Sequence, residues 1–209
     1  MDFVFWTRAE VPHACRLQEM TGFADKWRLR DGLPLQGELT ENATFEMNPE
    51  FPDDTLTPDC LSNLDEVILV SSRVKEFLEG KRLASVEYLS VTVRDLKGKT
   101  VKPSYFIVNP VGTVPLLRLD ECEATMDTLD ASKIASLKKF VVDESILKTV
   151  SPLFRAAGLS DYLMIGKGLA GDLVANGFVG NRWIDPQSLA TGKGLGDLAF
   201  MHKSATAKI

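Results

Sequence analysis

The chain contains several short segments whose hydrophobic pattern is typical of β-strands. Phe3–Trp6 is a continuous apolar run, and Val86–Val93 and Ser104–Val108 are rich in β-branched and aromatic residues. Asp95–Lys99 separates the last two segments and contains a glycine, so it predicts a turn that joins them as antiparallel partners. Alternation of Trp27 and Leu29 with charged residues predicts a further half-buried strand or extended arm.

Two parts of the chain share an order of strand, helix and glycine. The first begins with the apolar run Glu66–Val70 and continues into an amphipathic helix that Gly80 is placed to end. The second begins with Tyr162–Ile165, continues into a helix that Gly177 ends, and returns as a strand over Val179–Ile184. Strands outnumber helices, so we predict an α+β fold. Its features are a mixed, mainly antiparallel sheet, a few short helices and two similar strand–helix–strand units.

A chain of 209 residues suits one mixed domain with a modest extension. We expect residues 1–60 to form an N-terminal extended or strand region with an acidic loop. Three prolines between Asn48 and Asp59 predict that loop, because proline disfavours both helix interiors and ladder pairing. Residues 61–186 are expected to form the α+β core, and residues 187–209 a loosely ordered C-terminal tail.

Acidic residues are concentrated in two stretches. Asp31–Ser72 contains ten acidic residues and no Lys or Arg, and Leu119–Ser132 contains five acidic residues and again no base. Such segregation attracts a positively charged partner and repels a phosphate backbone. It therefore predicts a basic protein partner and no direct contact with nucleic acid. A purely solvated, solubilising surface is the alternative that charge alone leaves open.

Composition also bears on location and on metal binding. No apolar run reaches the roughly 20 residues of a membrane-spanning helix, and Phe3–Trp6 lacks the basic leader of a secretory signal. Cys15, Cys60 and Cys122 are far apart and form no C-x-x-C pair, which argues against a disulfide framework and a zinc site. We therefore expect a cytoplasmic protein with no membrane contact and no bound metal.

Residues that usually carry catalysis are sparse. The only histidines, His13 and His202, stand near opposite ends of the chain, so we expect a protein that is not an enzyme and has no cofactor. One motif favours the opposite conclusion, because Gly166, Gly168 and Gly171 match G-x-G-x-x-G between a predicted strand and a predicted helix. The remaining chain is too short for further βαβ units. A nucleotide-binding enzyme is kept as an alternative.

Several segments between Leu61 and Pro186 follow one another in a familiar order and spacing. They are Leu61–Leu64, Ile68–Glu79, Val86–Val93, Tyr105–Pro110, Phe140–Glu144, Leu153–Arg155 and Tyr162–Gly166. Together they resemble a family of bacterial immunity proteins that are found beside polymorphic toxins and were first catalogued as a domain of unknown function. The chain departs from the family at Asp120–Glu123, where a serine-bearing acidic segment is usual.

The resemblance implies a protein that binds and neutralises a cognate toxin exchanged between competing bacteria, for example by type VI secretion. Some members look to be paired with nuclease toxins, whose clefts must be basic to hold phosphates. An acidic surface suits such a cleft, and Leu61 and Leu64 would add apolar anchors if exposed. The expected partner-binding residues are Asp53, Asp54, Asp59, Asp65 and Glu66. An acidic adaptor without a toxin partner is a further alternative, and the oligomeric state is left open.

Overall fold

The computed structural model describes residues 2–39 and 42–190. The strands are β1 (Phe3–Arg8), β2 (Arg16–Leu17), β3 (Thr44–Glu46), β4 (Cys60–Asn63), β5 (Leu69–Ser71), β6 (Val86–Arg94), β7 (Tyr105–Pro110), β8 (Glu123–Met126), β9 (Ile134–Lys139), β10 (Leu153–Arg155), β11 (Leu163–Gly166) and β12 (Asn181–Ile184). The helices are α1 (Ser72–Gly80), α2 (Glu144–Leu147) and α3 (Lys167–Ala175), with short 3-10 helices at Lys26–Leu29 and Pro186–Ala190. The predicted α+β class is confirmed.

The strands form two larger sheets and one separate hairpin. The six-stranded sheet has the order β2-β4-β5-β7-β6-β3, and the four-stranded sheet has the order β10-β11-β1-β12. The hairpin consists of β8 and β9. Antiparallel pairing predominates, while β2–β4 and β3–β6 are parallel pairs. The sheets are therefore mixed and mainly antiparallel, as the sequence predicts.

Both predicted strand–helix–strand units are present, and they share one topology. Strands β5 and β6 flank β7 and both pair antiparallel to it, so they run parallel to each other with α1 as the crossover. Strands β11 and β12 flank β1 in the same way, with α3 as the crossover. Each unit is thus a βαβ crossover split by an antiparallel strand. At the start of α1, the Ser71 hydroxyl accepts a hydrogen bond from the Val74 backbone N–H (3.5 Å), as expected of a helix cap.

Alternation along β1 shows how the two sheets share a core. Val4 and Trp6 belong to a buried cluster that also includes apolar residues of the six-stranded sheet, of α1 and of α3. Phe3 and Phe5 point the opposite way, into a cluster that includes Leu137 of the β8–β9 hairpin. A third cluster lies on the other face of the six-stranded sheet. Since fully burying one large apolar side chain contributes about 1.5–3 kcal/mol, these clusters hold the hairpin and both sheets together.

The N-terminal residues are built into both sheets. Strand β1 lies between β11 and β12, while β2, β3 and β4 contribute to the six-stranded sheet. Much of the expected region 1–60 is therefore strand-forming and shares the core with the C-terminal part. Most of the expected tail 187–209, from residue 191 onward, lies outside the described residues, as does His202.

The half-buried strand or extended arm predicted at Trp27 and Leu29 is wrong. These residues form a 3-10 helix in which the Arg28 and Arg30 N–H groups donate to the carbonyls of Asp25 (3.0 Å) and Trp27 (3.1 Å). Leu29 is buried, whereas Trp27 is exposed. In a strand, residues two apart lie on the same face, whereas in a helical turn they point in different directions. This explains why Leu29 is buried and Trp27 is exposed.

Candidate protein-binding surface

Most acids of the stretch 31–72 form ion pairs with bases from other parts of the chain. The pairs are Asp31 with Lys133, Glu38 with Arg28, Asp54 with Arg16, Asp59 with Arg73, Asp65 with Lys26 and Glu66 with Arg30. Within the described ranges, Glu46, Glu50 and Asp53 are exposed and take part in no ion pair. The fold thus neutralises much of the charge that is segregated along the sequence, and the negative field is weaker than the sequence indicates.

Asp59 lies inside the protein, with 8% of its surface exposed. Its carboxylate accepts hydrogen bonds from the Ser71 hydroxyl (2.8 Å) and the Val179 backbone N–H (3.1 Å), and it lies 3.3 Å from Arg73 Nη1. These contacts connect the start of α1 to the approach to β12. Asp59 therefore has a structural position, and it does not belong to the exposed group that the sequence places it in.

Asp53 and Asp54 lie in the loop before β4. Asp53 is exposed, and the Asp54 carboxylate lies 3.6 Å from Arg16 Nε in β2. The Arg16 guanidinium also stacks on Phe51, 4.2 Å from the ring centroid. Within the described residues, Asp53 is thus the only one of this pair whose charge has no basic partner in the same chain.

The turn that joins β4 to β5 carries Leu64, Asp65 and Glu66 on a fixed backbone. The buried Asn63 amide spans the turn, since its Oδ1 accepts from the Val67 N–H (3.1 Å) and its Nδ2 donates to the Val67 carbonyl (2.9 Å). Glu66 adopts a left-handed backbone with φ +59°. Leu64 is 64% exposed, whereas Leu61 is fully buried. Of the two candidate apolar anchors, only Leu64 is therefore accessible.

The 3-10 helix carries Trp27, which is 58% exposed. Its C-terminal end is held by the buried Arg155 of β10, whose guanidinium donates to the carbonyls of Leu29 (2.9 Å) and Arg30 (3.2 Å). Burial lowers the pKa of Arg155 to about 10, although Asp161 and Asp31 act in the opposite direction. The guanidinium is still charged at neutral pH, and a cation is favourable at a helix C-terminus.

Ion pairs fasten the Trp27 helix to the Leu64 turn. Lys26 Nζ lies 2.9 Å from Glu19 and 3.5 Å from Asp65, and the second Asp65 oxygen accepts from the Met20 N–H (2.5 Å). Partial burial disfavours the Lys26 ammonium, but Glu19 and Asp65 outweigh that effect and raise its pKa. Each exposed apolar residue is therefore the chain neighbour of a residue in this set of ion pairs, Trp27 of Lys26 and Leu64 of Asp65. We call this the Trp27–Leu64 surface; its members are Glu19, Lys26, Trp27, Leu64, Asp65 and Glu66.

The exposed side of β2 and β4 extends this surface toward the loop of Asp53 and Asp54. Arg16 is opposite Ser62 in the β2–β4 register, and both side chains are exposed. Arg16 also pairs with Asp54, while Ser62 is two residues from Leu64. Of the five candidate residues, Asp53, Asp54 and Glu66 reach the surface on one side of the molecule, whereas the side chains of Asp59 and Asp65 are each only 9% exposed.

The glycine-rich loop has a different geometry from a dinucleotide site. Gly166 is buried at the end of β11, and the Lys167 N–H at the start of α3 donates to the Asp2 carbonyl (2.8 Å). Strand β11 has antiparallel neighbours on both sides, whereas dinucleotide folds place this loop after a parallel strand. Gly168 and Gly171 face open space. In the described residues, no group of three or more His, Cys, Asp or Glu side chains is placed to hold a metal ion.

Tryptophan is enriched among the residues that dominate protein–protein interfaces, so the exposed Trp27 favours a protein that acts by binding another protein. Comparison with known families agrees with this class: the model of the Immunity protein family (Imm11) matches residues 8–184. The chain belongs to the Imm11 immunity protein family. No curated protein matches the chain. Of the helices in the described ranges, none has the length and apolar character that crossing a membrane requires.

Proposed function

We propose that this chain binds a cognate antibacterial toxin through the Trp27–Leu64 surface and thereby neutralises it. The observation that carries the proposal is the exposure of Trp27 and Leu64 on two segments that ion pairs and buried side chains hold together. Membership of an immunity protein family supplies the class of partner. The proposed setting is the cytoplasm of the producing cell, with type VI secretion as the route by which the toxin is exchanged.

Tryptophan is the residue type that most often dominates a protein–protein interface. A Trp side chain buries about 150–250 Å² and apolar burial contributes about 25 cal/mol per Å². Since 58% of Trp27 is exposed in the free protein, covering it contributes about 2–4 kcal/mol. The fixed Leu64 turn and the capped Trp27 helix reduce the ordering entropy that binding would otherwise cost.

Charge favours a basic partner for this surface. The acids Glu19, Asp65 and Glu66 pair with the two bases Lys26 and Arg30, which leaves a small negative excess, and Asp53 at the far end forms no ion pair in the described residues. A nuclease toxin, whose cleft must be positive to hold phosphates, would be attracted to such a rim. We expect the acids to accelerate encounter, and the apolar anchors to supply most of the affinity.

The test uses the toxin domain encoded beside this chain as the probe. Trp27→Ala should weaken its binding about 100-fold in calorimetry, since 1.4 kcal/mol corresponds to a factor of ten. It should also abolish protection of cells that express the toxin domain. Val174→Ala on α3 is the control, because Val174 is also exposed but lies on a different element. Equal affinity of Trp27→Ala and wild type would contradict the proposed surface, and no binding by the wild-type chain would contradict the function.

A further inference from the structure

A chain of ion pairs runs from the Trp27–Leu64 surface to the β8–β9 hairpin. Glu66 lies 3.3 Å from Arg30 Nη1, and Arg30 Nε lies 3.4 Å from Asp161. Lys133 follows the turn of the hairpin directly, and its Nζ lies 3.4 Å from Asp161 and 2.8 Å from Asp31. The hairpin is therefore tied to the segment that carries Trp27 through charged groups at every step.

The tip of the hairpin, residues 127–132, presents an apolar side chain on a fixed turn. Leu129 is 98% exposed, the largest value among the large apolar side chains of the described ranges. The Asp127 carboxylate accepts from the N–H groups of Leu129 (2.7 Å) and Asp130 (3.0 Å), and the Lys133 N–H donates to the Asp130 carbonyl (2.9 Å). Ile134 at the start of β9 is buried in the core. The tip thus projects from an anchored strand.

Charge around the tip is less compensated than in the stretch 31–72. At the tip, Asp130 is exposed and, like Asp127, takes part in no ion pair within the described residues, whereas Glu123 lies at the opposite end of the hairpin, across from Lys139. The Ser132 hydroxyl and N–H donate to Asp130 and hold the pKa of its carboxyl below the usual value. Near neutral pH the hairpin therefore offers a leucine flanked by carboxylates, which fits a basic protein surface with a small apolar recess.

We propose that the hairpin tip is a second arm of the toxin-binding surface, with Leu129 as its apolar contact and Lys133 as the residue that positions it. This inference rests on the proposed function and names a further contact for the same partner. The occupant is the toxin, not a second copy of this chain, because the chain carries a net charge of −5 and an acidic tip repels an acidic molecule.

Lys133 is well placed for the positioning role. Its side chain is partly buried between two carboxylates that belong to different segments, Asp31 after the Trp27 helix and Asp161 before β11. Burial disfavours the ammonium, but the two carboxylates outweigh that effect and raise the pKa of Lys133. Removing this charge would release the tip from the Trp27 segment while leaving Leu137 and the rest of β9 in the core.

The experiment measures binding of the adjacent-gene toxin domain to full-length variants. Leu129→Ser should weaken binding about 10-fold without changing the melting temperature, because a fully exposed leucine contributes little to folding. Lys133→Met should weaken it about 5- to 10-fold, and Lys133→Arg should restore it, since arginine keeps the charge between Asp31 and Asp161. Leu96→Ser, an exposed leucine in the β6–β7 turn, is the matched control.

The outcomes separate this inference from the proposed function. If Trp27→Ala weakens binding and Leu129→Ser does not, the second arm is overturned and the Trp27–Leu64 surface stands. If Leu129→Ser weakens binding and Trp27→Ala does not, the arm stands and the main surface is overturned. If the free wild-type protein sediments as a dimer and the Leu129→Ser variant as a monomer, the hairpin tip contacts a second copy of this chain, and the proposed second toxin-binding arm is overturned.

Discussion

Replacing Asp59 with alanine should destabilise the protein strongly, whereas the same change at Asp53 should not. Asp59 is buried and connects three elements, because its carboxylate accepts from the Ser71 hydroxyl and the Val179 N–H. The Ser71 hydroxyl in turn accepts from the Val74 N–H at the start of α1. Removing the carboxylate leaves two donors without an acceptor and loosens the cap of that helix.

The magnitude follows from the two donors. A buried donor left unsatisfied costs about 1–3 kcal/mol, which applies in full to the buried Ser71 hydroxyl; the part-buried Val179 N–H adds less, so the loss in the free energy of unfolding is about 3 kcal/mol. The ion pair with Arg73 adds little, because that guanidinium is mostly exposed. For a chain of this size each kcal/mol shifts the melting temperature by about 2–4 °C, so Asp59→Ala should melt about 6–12 °C lower.

Thermal unfolding followed by circular dichroism measures this difference. Asp53→Ala is the matched control, because Asp53 is exposed, forms no ion pair in the described part of the chain and should change stability by less than about 0.5 kcal/mol. The double variant Ser71→Ala/Asp59→Ala should lose less free energy of unfolding than the sum of the losses of the two single variants, because both changes remove the same hydrogen bond. Equal melting temperatures for the two alanine variants would refute the assignment of Asp59 to the interior.

Two further predictions concern other titratable groups. The Ser145 hydroxyl and N–H hold the pKa of Asp143 below its usual value, so the Asp143 carboxylate stabilises the fold above about pH 4, and this stabilisation is lost as pH falls through the lowered folded-state pKa. In Asp143→Ala the free energy of unfolding, measured by urea denaturation at a series of pH values, should therefore fall less steeply toward acid pH. The same decrease as in the wild type would contradict this. Burial raises the pKa of the Cys60 thiol to about 12, so a thiol reagent at pH 8 should modify the half-buried Cys122 before Cys60. Peptide mass spectrometry measures the order of labelling, and faster labelling of Cys60 would show that the core opens at that residue.

The elements that sequence predicts well are those whose cause is local. The β6–β7 hairpin follows from β-branched runs on either side of a glycine turn, and the start of α1 follows from a serine before an amphipathic pattern. The contacts that decide the site are not local. Asp59 bonds to Val179, 120 residues away, and Arg155 bonds to Leu29, 126 residues away. No spacing along the chain indicates that either pair will meet.

Trp27 shows the same limit for a single residue. Its alternation with Leu29 fits a strand whose apolar side chains share a buried face, and that pattern contains nothing to distinguish it from a short helical turn. The distinction is made by Arg155, which fixes the end of the turn and leaves Trp27 outside while Leu29 is buried. A residue that the alternating pattern places in a half-buried strand or extended arm therefore becomes the leading candidate for partner contact.

The two acidic stretches differ in the same non-local way. Both lack bases in sequence, but the strands and turns of residues 31–72 pack against segments that supply Arg16, Lys26 and Arg30, so their charges are largely paired. In the stretch 119–132, Glu121 pairs with Arg118 and Glu123 lies across from Lys139 of β9, whereas Asp127 and Asp130 at the turn take part in no ion pair in the described structure. A run of acidic residues along the chain therefore produces a charged surface only where the fold brings no basic residues to those acids. We therefore expect the electrostatic part of partner recognition to lie at the Leu129 tip, and apolar contact at Trp27 and Leu64 to be the main source of the proposed affinity.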